Sequence, residues 1–298
     1  MTNGNPAGTD PNRPPPTPPI VLSFAASDPS GGAGIQADLM TLSSMGCHAL
    51  SVITALTVQD TLGVSSVLAI DAEWVEDQAR ELLEDMHVAA FKIGLLGSVE
   101  NIAVIAEILS DYPDIPLVLD PVLASGRGDA FADDEMISAL RELLLPQTTI
   151  LTPNSIEARR LAEVDDDTDD ADTDDAGQAL PLIECARRLL GFGCEYVLVT
   201  GTHENSLQVV NTLYGETGLI RSDAWDRLPG SYHGSGCTLA SAIAANLAHG
   251  LPVDEAVRDA QDYTWQTLAA GFRPGMGQYI PDRFFWARVA DEGDASDA

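Results

Sequence analysis

Ile20-Val-Leu-Ser-Phe-Ala25, followed by Ala26-Ser-Asp-Pro-Ser-Gly-Gly-Ala-Gly34 and then by Ile35-Gln-Ala-Asp-Leu-Met-Thr-Leu-Ser-Ser-Met45, decides how this chain is read. The first six residues are a short apolar run of the kind that forms a buried strand. Ile35, Leu39, Leu42 and Met45 recur at helical spacing and define one apolar helix face. Between them, glycines at 31, 32 and 34 make a turn whose backbone can approach a ligand closely and open the helix. The unit is strand, glycine-rich turn, helix.

The same alternation continues outward from it. Strands are predicted at Ala49–Thr57, Ala89–Ile93, Pro116–Asp120, 148–151 and Tyr196–Thr200, with helices at Trp74–His87, 99–110, 133–144, 154–163 and 178–190. Residues 207–222 alternate more tightly and predict an antiparallel hairpin; helices over Gly236–Ala248 and Pro252–Ala269 close the pattern. Such βαβ repetition implies a largely parallel sheet with helices on both faces, an α/β fold. One domain is expected over residues 20–288. Residues 1–19, with seven prolines, read as an extended tail, 163–177 as an acidic surface loop and 289–298 as an acidic tail.

Composition excludes several function classes. The chain has 15 Lys+Arg against 46 Asp+Glu, a net charge of −31, and Lys92 is its only lysine. Such a surface repels phosphate backbones and anionic lipids, so neither nucleic acid nor membrane is an expected partner; a salty solvent that screens acidic self-repulsion accounts for it best. No apolar run is long enough for a membrane span, and the N-terminus lacks a secretory leader pattern. Cys47, Cys185, Cys194 and Cys237 are scattered, which suits a reducing cytoplasm rather than a disulfide framework or zinc site.

Three further motifs carry chemistry. In His233-Gly-Ser-Gly-Cys-Thr-Leu-Ala-Ser241, Gly234, Ser235 and Gly236 form a turn stripped of bulk at a helix start, an anion hole for a transferring phosphoryl group. Cys237 stands where the helix dipole favours thiolate, or is a buried structural thiol at a tight helix start. In Thr152-Pro-Asn-Ser-Ile-Glu157, Asn154 and Glu157 have capping-box spacing, and equally could organise hydrated Mg²⁺ near phosphates. Asp120, ending its own strand, adds a hard oxygen ligand, so Asp120 and Glu157 are the candidate metal pair. No P-loop is present. All these motifs fall at the carboxyl ends of predicted strands, where open α/β sheets bind ligands.

The run SDPSGGAGIQADLMTLSSMGCHALSVITALTVQDTLGV, with KIGLLGS, LVLDPV, LTPNSIEA and HGSGCTLASAIAA, resembles the hydroxymethylpyrimidine/phosphomethylpyrimidine kinases in order and spacing over residues 20–270. The resemblance implies a ribokinase-like three-layer α/β/α fold and ATP as phosphoryl donor, with Mg²⁺. It also implies successive phosphorylation of an aminopyrimidine alcohol and its monophosphate, and a homodimer. It places Gln59, whose carboxamide can donate to and accept from the ring, with Ala26, Asp38 and Leu95 on the pyrimidine. Thr200 and Gly201, with Asn154 and Glu157, fall on the nucleotide side. Cys237 takes the position where sugar kinases of the superfamily carry an Asp base. The chain departs from many relatives in having Arg127 for a lysine after the DPV motif, Thr200-Gly-Thr-His203 for Lys-Gly-Gly-His, and Leu95 for Met. A pyridoxal kinase and a non-catalytic pyrimidine-phosphate sensor are the alternatives.

Overall fold

A computed structural model describes residues 17–124, 128, 130–163 and 179–288. Arg127, most of the Pro-rich segment, nearly all of the acidic stretch and residues 289–298 lie outside the described residues. Nine strands form one sheet in the order β3-β2-β1-β4-β5-β6-β7-β8-β9. They are β1 (Ile20–Ser27), β2 (His48–Gln59), β3 (Val64–Ala69), β4 (Ala90–Ile93), β5 (Leu117–Leu119), β6 (Ile150–Leu151), β7 (Tyr196–Val199), β8 (Gln208–Gly215) and β9 (Gly218–Asp226). From β2 to β7 every pairing is parallel, while β3 and the β8–β9 hairpin add antiparallel edges.

Side-chain alternation along the central strands separates two cores. Leu22 and Phe24 of β1, Phe91 and Ile93 of β4, and Leu117 and Leu119 of β5 face one of them. That face is covered by α2 (Ala72–Asp85), α3 (Val99–Ser110), α4 (Asp134–Ala139), α5 (Ser155–Ala162) and α6 (Leu182–Gly191). Val21, Ala90 and Val118 face the other, beneath α1 (Gly34–Ser44), α7 (Ser235–Ala248) and α8 (Val253–Ala269). The result is the three-layer α/β/α arrangement with a mostly parallel sheet. Ala240, Ala242, Ala244 and Ala245 are fully buried and keep α7 thin, so it lies close against β4 and β5. Its N-terminus is thereby carried to the carboxyl edge of those strands.

The chain runs from β1 to β2 on one side and crosses to β4 on the other. The sheet order therefore reverses at β1/β4, and a crevice opens at that switch point. Two departures from the sequence pattern bear on the site. β3, Val64-Ser-Ser-Val-Leu-Ala69, is not among the strands that the sequence pattern predicts. It pairs because Asp60 Oδ1 accepts the Leu62 and Gly63 N–H groups (2.7 and 3.2 Å) and closes a tight turn. The helix expected over 133–144 ends as α4 at Ala139 and continues as a wider π turn to Leu144.

Candidate active site

A cleft of about 590 Å³ runs along the carboxyl ends of β1, β4, β5, β6 and β7. Ala26, Gln59, Leu95, Asp120, Asn154, Glu157, Thr200, Gly234, Ser235, Gly236 and Cys237, all singled out by sequence, line it. Asp38 and Gly201 do not. Asp38 is fully buried in α1 and accepts hydrogen bonds from Ser23 Oγ (2.7 Å), Ser241 Oγ (2.8 Å) and Lys92 Nζ (2.9 Å). It underpins the cleft floor rather than facing a ligand. The Gly201 N–H donates to Asn211 Oδ1 (3.1 Å), and the residue packs against the Val210 backbone behind the cleft wall.

Lys92 is the cation of the floor. It is fully buried near the end of β4 and lies among the residues of the cleft floor. Burial opposes its charge, but Asp38, Cys237 and Asp120 outweigh that and raise its proton affinity. Its place in the sequence as the sole lysine, inside an apolar strand, was the available signal.

The glycine-rich turn after β1 and the turn before α7 interlock. Asp28 Oδ2 accepts from the Ala33 N–H (2.7 Å) and pairs with His233 Nε2 (2.8 Å), while Oδ1 accepts from the Ser30 N–H (2.8 Å). Burial works against the Asp28 carboxylate, yet bonds from His233, Gln59, Ser30 and Ala33 hold it far below the ordinary carboxylate range. Gln59 Nε2 also lies 3.4 Å from His233 Nε2, which ties the β2–β3 hairpin to both turns. Gly234 takes φ +81°, and a Cβ there would collide with the Gly32 carbonyl. Asp28 and His233 stand inside motifs quoted above, but nothing local in the sequence showed them meeting across 205 residues.

Asp120 and Glu157 form the acidic wall. Glu157 Oε1 accepts the Leu123 N–H (3.1 Å) and Oε2 the Asn154 N–H (3.0 Å), while Asn154 Oδ1 caps Ile156 and Glu157 (2.9 and 3.0 Å). The capping reading is therefore realised, and it locks the turn after Asp120 to α5. Val122 within that turn holds φ +39°, a strained value for a β-branched residue. Burial raises the proton affinity of both carboxyls, and Asp120 adds like-charge repulsion to Glu157.

The thiolate expected of Cys237 does not appear. The thiol is partly open to the cleft, but desolvation pushes it up to about 12; Lys92 pulls it down, while Asp120 and Asp38 push it further up. The helix N-terminus is outweighed by burial, to which the Asp120 and Asp38 carboxylates add. The thiol lies beside the Asp120 carboxylate and lowers its proton affinity.

Residues 28–282 match the description of one family throughout, phosphomethylpyrimidine kinase. The chain belongs to that family. It is 39% identical to the hydroxymethylpyrimidine/phosphomethylpyrimidine kinase of Streptomyces coelicolor, over 89% of this chain and 94% of that one. The phosphomethylpyrimidine kinase of Clostridium difficile superposes with a TM-score of 0.69 at 33% identity, over 84% of this chain and 99% of that one. A Staphylococcus aureus pyridoxal kinase in complex with AMP-PCP and pyridoxal superposes with a TM-score of 0.78 at 26% identity, over 92% and 96%. The fold is thus ribokinase-like, and the enzyme is a phosphotransferase. No helix among the described residues is long and apolar enough to cross a membrane.

Proposed function

We propose that the cleft transfers the γ-phosphoryl group of ATP to the hydroxymethyl oxygen of 4-amino-5-hydroxymethyl-2-methylpyrimidine. It then phosphorylates the monophosphate to give the pyrophosphate used for thiamine. The observation that carries this reading is one wall on which the Gly234–Gly236 turn, Cys237, Asp120 and the buried Lys92 meet, with Gln59 beside His233 where that turn begins. The turn's N–H groups and Lys92 face negative charge, and stabilising charge is most of what phosphoryl transfer asks of a protein.

In the first step the new bond forms between the hydroxymethyl oxygen and the γ-phosphorus as the γ-phosphorus bond to the bridging oxygen breaks. The hydroxyl proton passes to Cys237 Sγ while the thiol's own proton passes to an oxygen of the transferred phosphoryl group, so Asp120 stays ionised. The second acceptor is a phosphate oxygen that is already largely ionised, so that step relies less on the relay.

Asp120 and Glu157, two carboxylates whose proton affinity burial raises, with Asp120 adding like-charge repulsion to Glu157, fit a Mg²⁺ ion that keeps most of its water. No group of three side-chain ligands stands among the described residues, so a closed protein cage does not fit. Bound there, Mg²⁺ would neutralise charge on the triphosphate. Thr200 and Asn154 lie beside these carboxylates on the nucleotide side. On the outer hairpin Leu56 and its cross-strand partner Leu68, with Val58, are exposed, and this apolar strip supports a homodimer.

The test is turnover with ATP-Mg²⁺ and, in parallel, the hydroxymethyl pyrimidine, its monophosphate or pyridoxal. Phosphorylation of both pyrimidines well above pyridoxal is expected. Preference for pyridoxal would move the assignment to vitamin B6, and binding of the pyrimidines without turnover would make the protein a sensor.

A further inference from the structure

Arg283 stands in the C-terminal segment, far in sequence from every motif above, and is 2% exposed. Its guanidinium meets no carboxylate at ion-pair distance among the described residues. The adjacent Asp282 turns to Arg288 instead (2.5 Å). Asp28 and Asp38 act on Arg283 only at longer range, and are themselves engaged by His233 and Lys92. A buried cation left without a partner is costly, and burial lowers its proton affinity accordingly. Lys92, by contrast, has Asp38.

What Arg283 does hold is the backbone behind the phosphoryl turn. Nη2 donates to the Gly32 carbonyl (2.6 Å), Nη1 to the Gly31 carbonyl (3.5 Å) and Nε to Thr238 Oγ1 (3.1 Å). Thr238 Oγ1 in turn donates to the Gly234 carbonyl (2.8 Å). Three carbonyl oxygens that would repel a phosphate are thus drawn to the rear, directly or through one hydroxyl. Of the N–H groups in the same three peptides, those of Gly32 and Ala33 are taken by Ser30 and Asp28, and that of Ser235, on the Gly234 peptide, is left to the cleft. The planar fork of a guanidinium can grip two turns at once, which an ammonium cannot.

We propose that Arg283 is a positioning residue for phosphoryl transfer: it aligns the two glycine turns through Gly31, Gly32 and Thr238, and its unpaired charge completes the electrostatics of the phosphoryl site. The proposal rests on the kinase reading above. It implies that Arg283 matters most when the phosphoryl group is in flight, and little for the resting nucleotide.

The experiment compares ADP affinity with and without aluminium fluoride, an anionic mimic of the transferring group, in the presence of the hydroxymethyl pyrimidine. Wild-type turnover is measured first, and its absence would overturn the kinase reading itself. With turnover established, R283Q is expected to bind ADP within about threefold of wild type. It should lose on the order of 100-fold of the tightening that aluminium fluoride brings, with kcat falling in parallel and KM for the pyrimidine little changed. R283K, which keeps the charge but not the fork, should lose roughly 3–10-fold. A merely structural brace would lower the melting temperature of R283Q and leave the tightening intact; that result overturns the proposal. Should R283Q fail to fold, R283K carries the test, and wild-type tightening and kcat in R283K overturn it.

Discussion

At the scale of single residues, the chemistry is decided by neighbours rather than by type. Cys237 alone at a helix start reads as a thiolate; beside Asp120 in a desolvated wall it is a proton-holding thiol. This predicts a split between the two reactions. Cys237→Ala should slow phosphorylation of the hydroxymethyl pyrimidine by about 10²-fold, because its alcohol proton loses its acceptor. Phosphorylation of the monophosphate should fall by less than about tenfold, since that acceptor oxygen carries no proton to remove. Single-turnover measurements on each substrate check this, and equal losses would show that the thiol serves only as packing. Asp38 carries the same lesson in reverse. The family resemblance puts its carboxylate on the substrate, yet the fold buries it under Lys92, Ser23 and Ser241.

At the scale of elements, the site is a set of turns fastened to one another. β2–β3 is tied in through Gln59 and His233, the turn after β5 through Leu123 and Glu157, and the two glycine turns through Asp28 and Arg283. Gly234 is the tightest point. Gly234→Ala forces a side chain into a left-handed position, costing about 1–2 kcal/mol, and also drives its Cβ into the Gly32 carbonyl. Turnover is expected to fall at least ~100-fold through displacement of the anion-binding N–H groups. Gly218→Ala, also at positive φ (+99°) but in the open β8–β9 turn, should cost about 1 kcal/mol in stability and leave turnover at the wild-type level. Urea denaturation and steady-state kinetics on both variants separate strain from site geometry. Similar kinetics in the two would mean that the Gly32–Gly234 contact has no role.

At the scale of the whole molecule, the net charge of −31 is the outstanding property. Fifteen basic side chains leave most carboxylates without partners, so self-repulsion opposes the compact state. Raising salt from about 0.1 M to about 1 M shortens the screening length from roughly 10 Å to roughly 3 Å. The melting temperature should therefore climb by several degrees in potassium chloride, chosen because it is a weaker general stabiliser than sulfate. A flat profile would remove screening as the reason for the composition.

How much was legible beforehand differs by level. The alternation of apolar runs with helical periods is a local signal, and it sufficed for a parallel α/β sheet, two helical layers and a site at the strands' carboxyl edge. The Gly-rich turns and the Thr152–Glu157 motif were legible for the same reason, because glycine placement and capping are properties of neighbours in sequence. β3 escaped because two serines break its alternation, and a strand at the sheet edge gains its pairing from the turn rather than from its own pattern. The roles of Asp28, His233, Lys92 and Arg283 escaped for a deeper reason. Each is defined by a partner between 54 and 252 residues away, and a hydrogen bond across the sheet leaves no trace in either segment alone. The layers, the family pattern and the edge on which chemistry sits are written in local order along the chain. Which charges meet there is settled by packing alone, because desolvation and Coulomb interaction depend on distance in space and not along the chain.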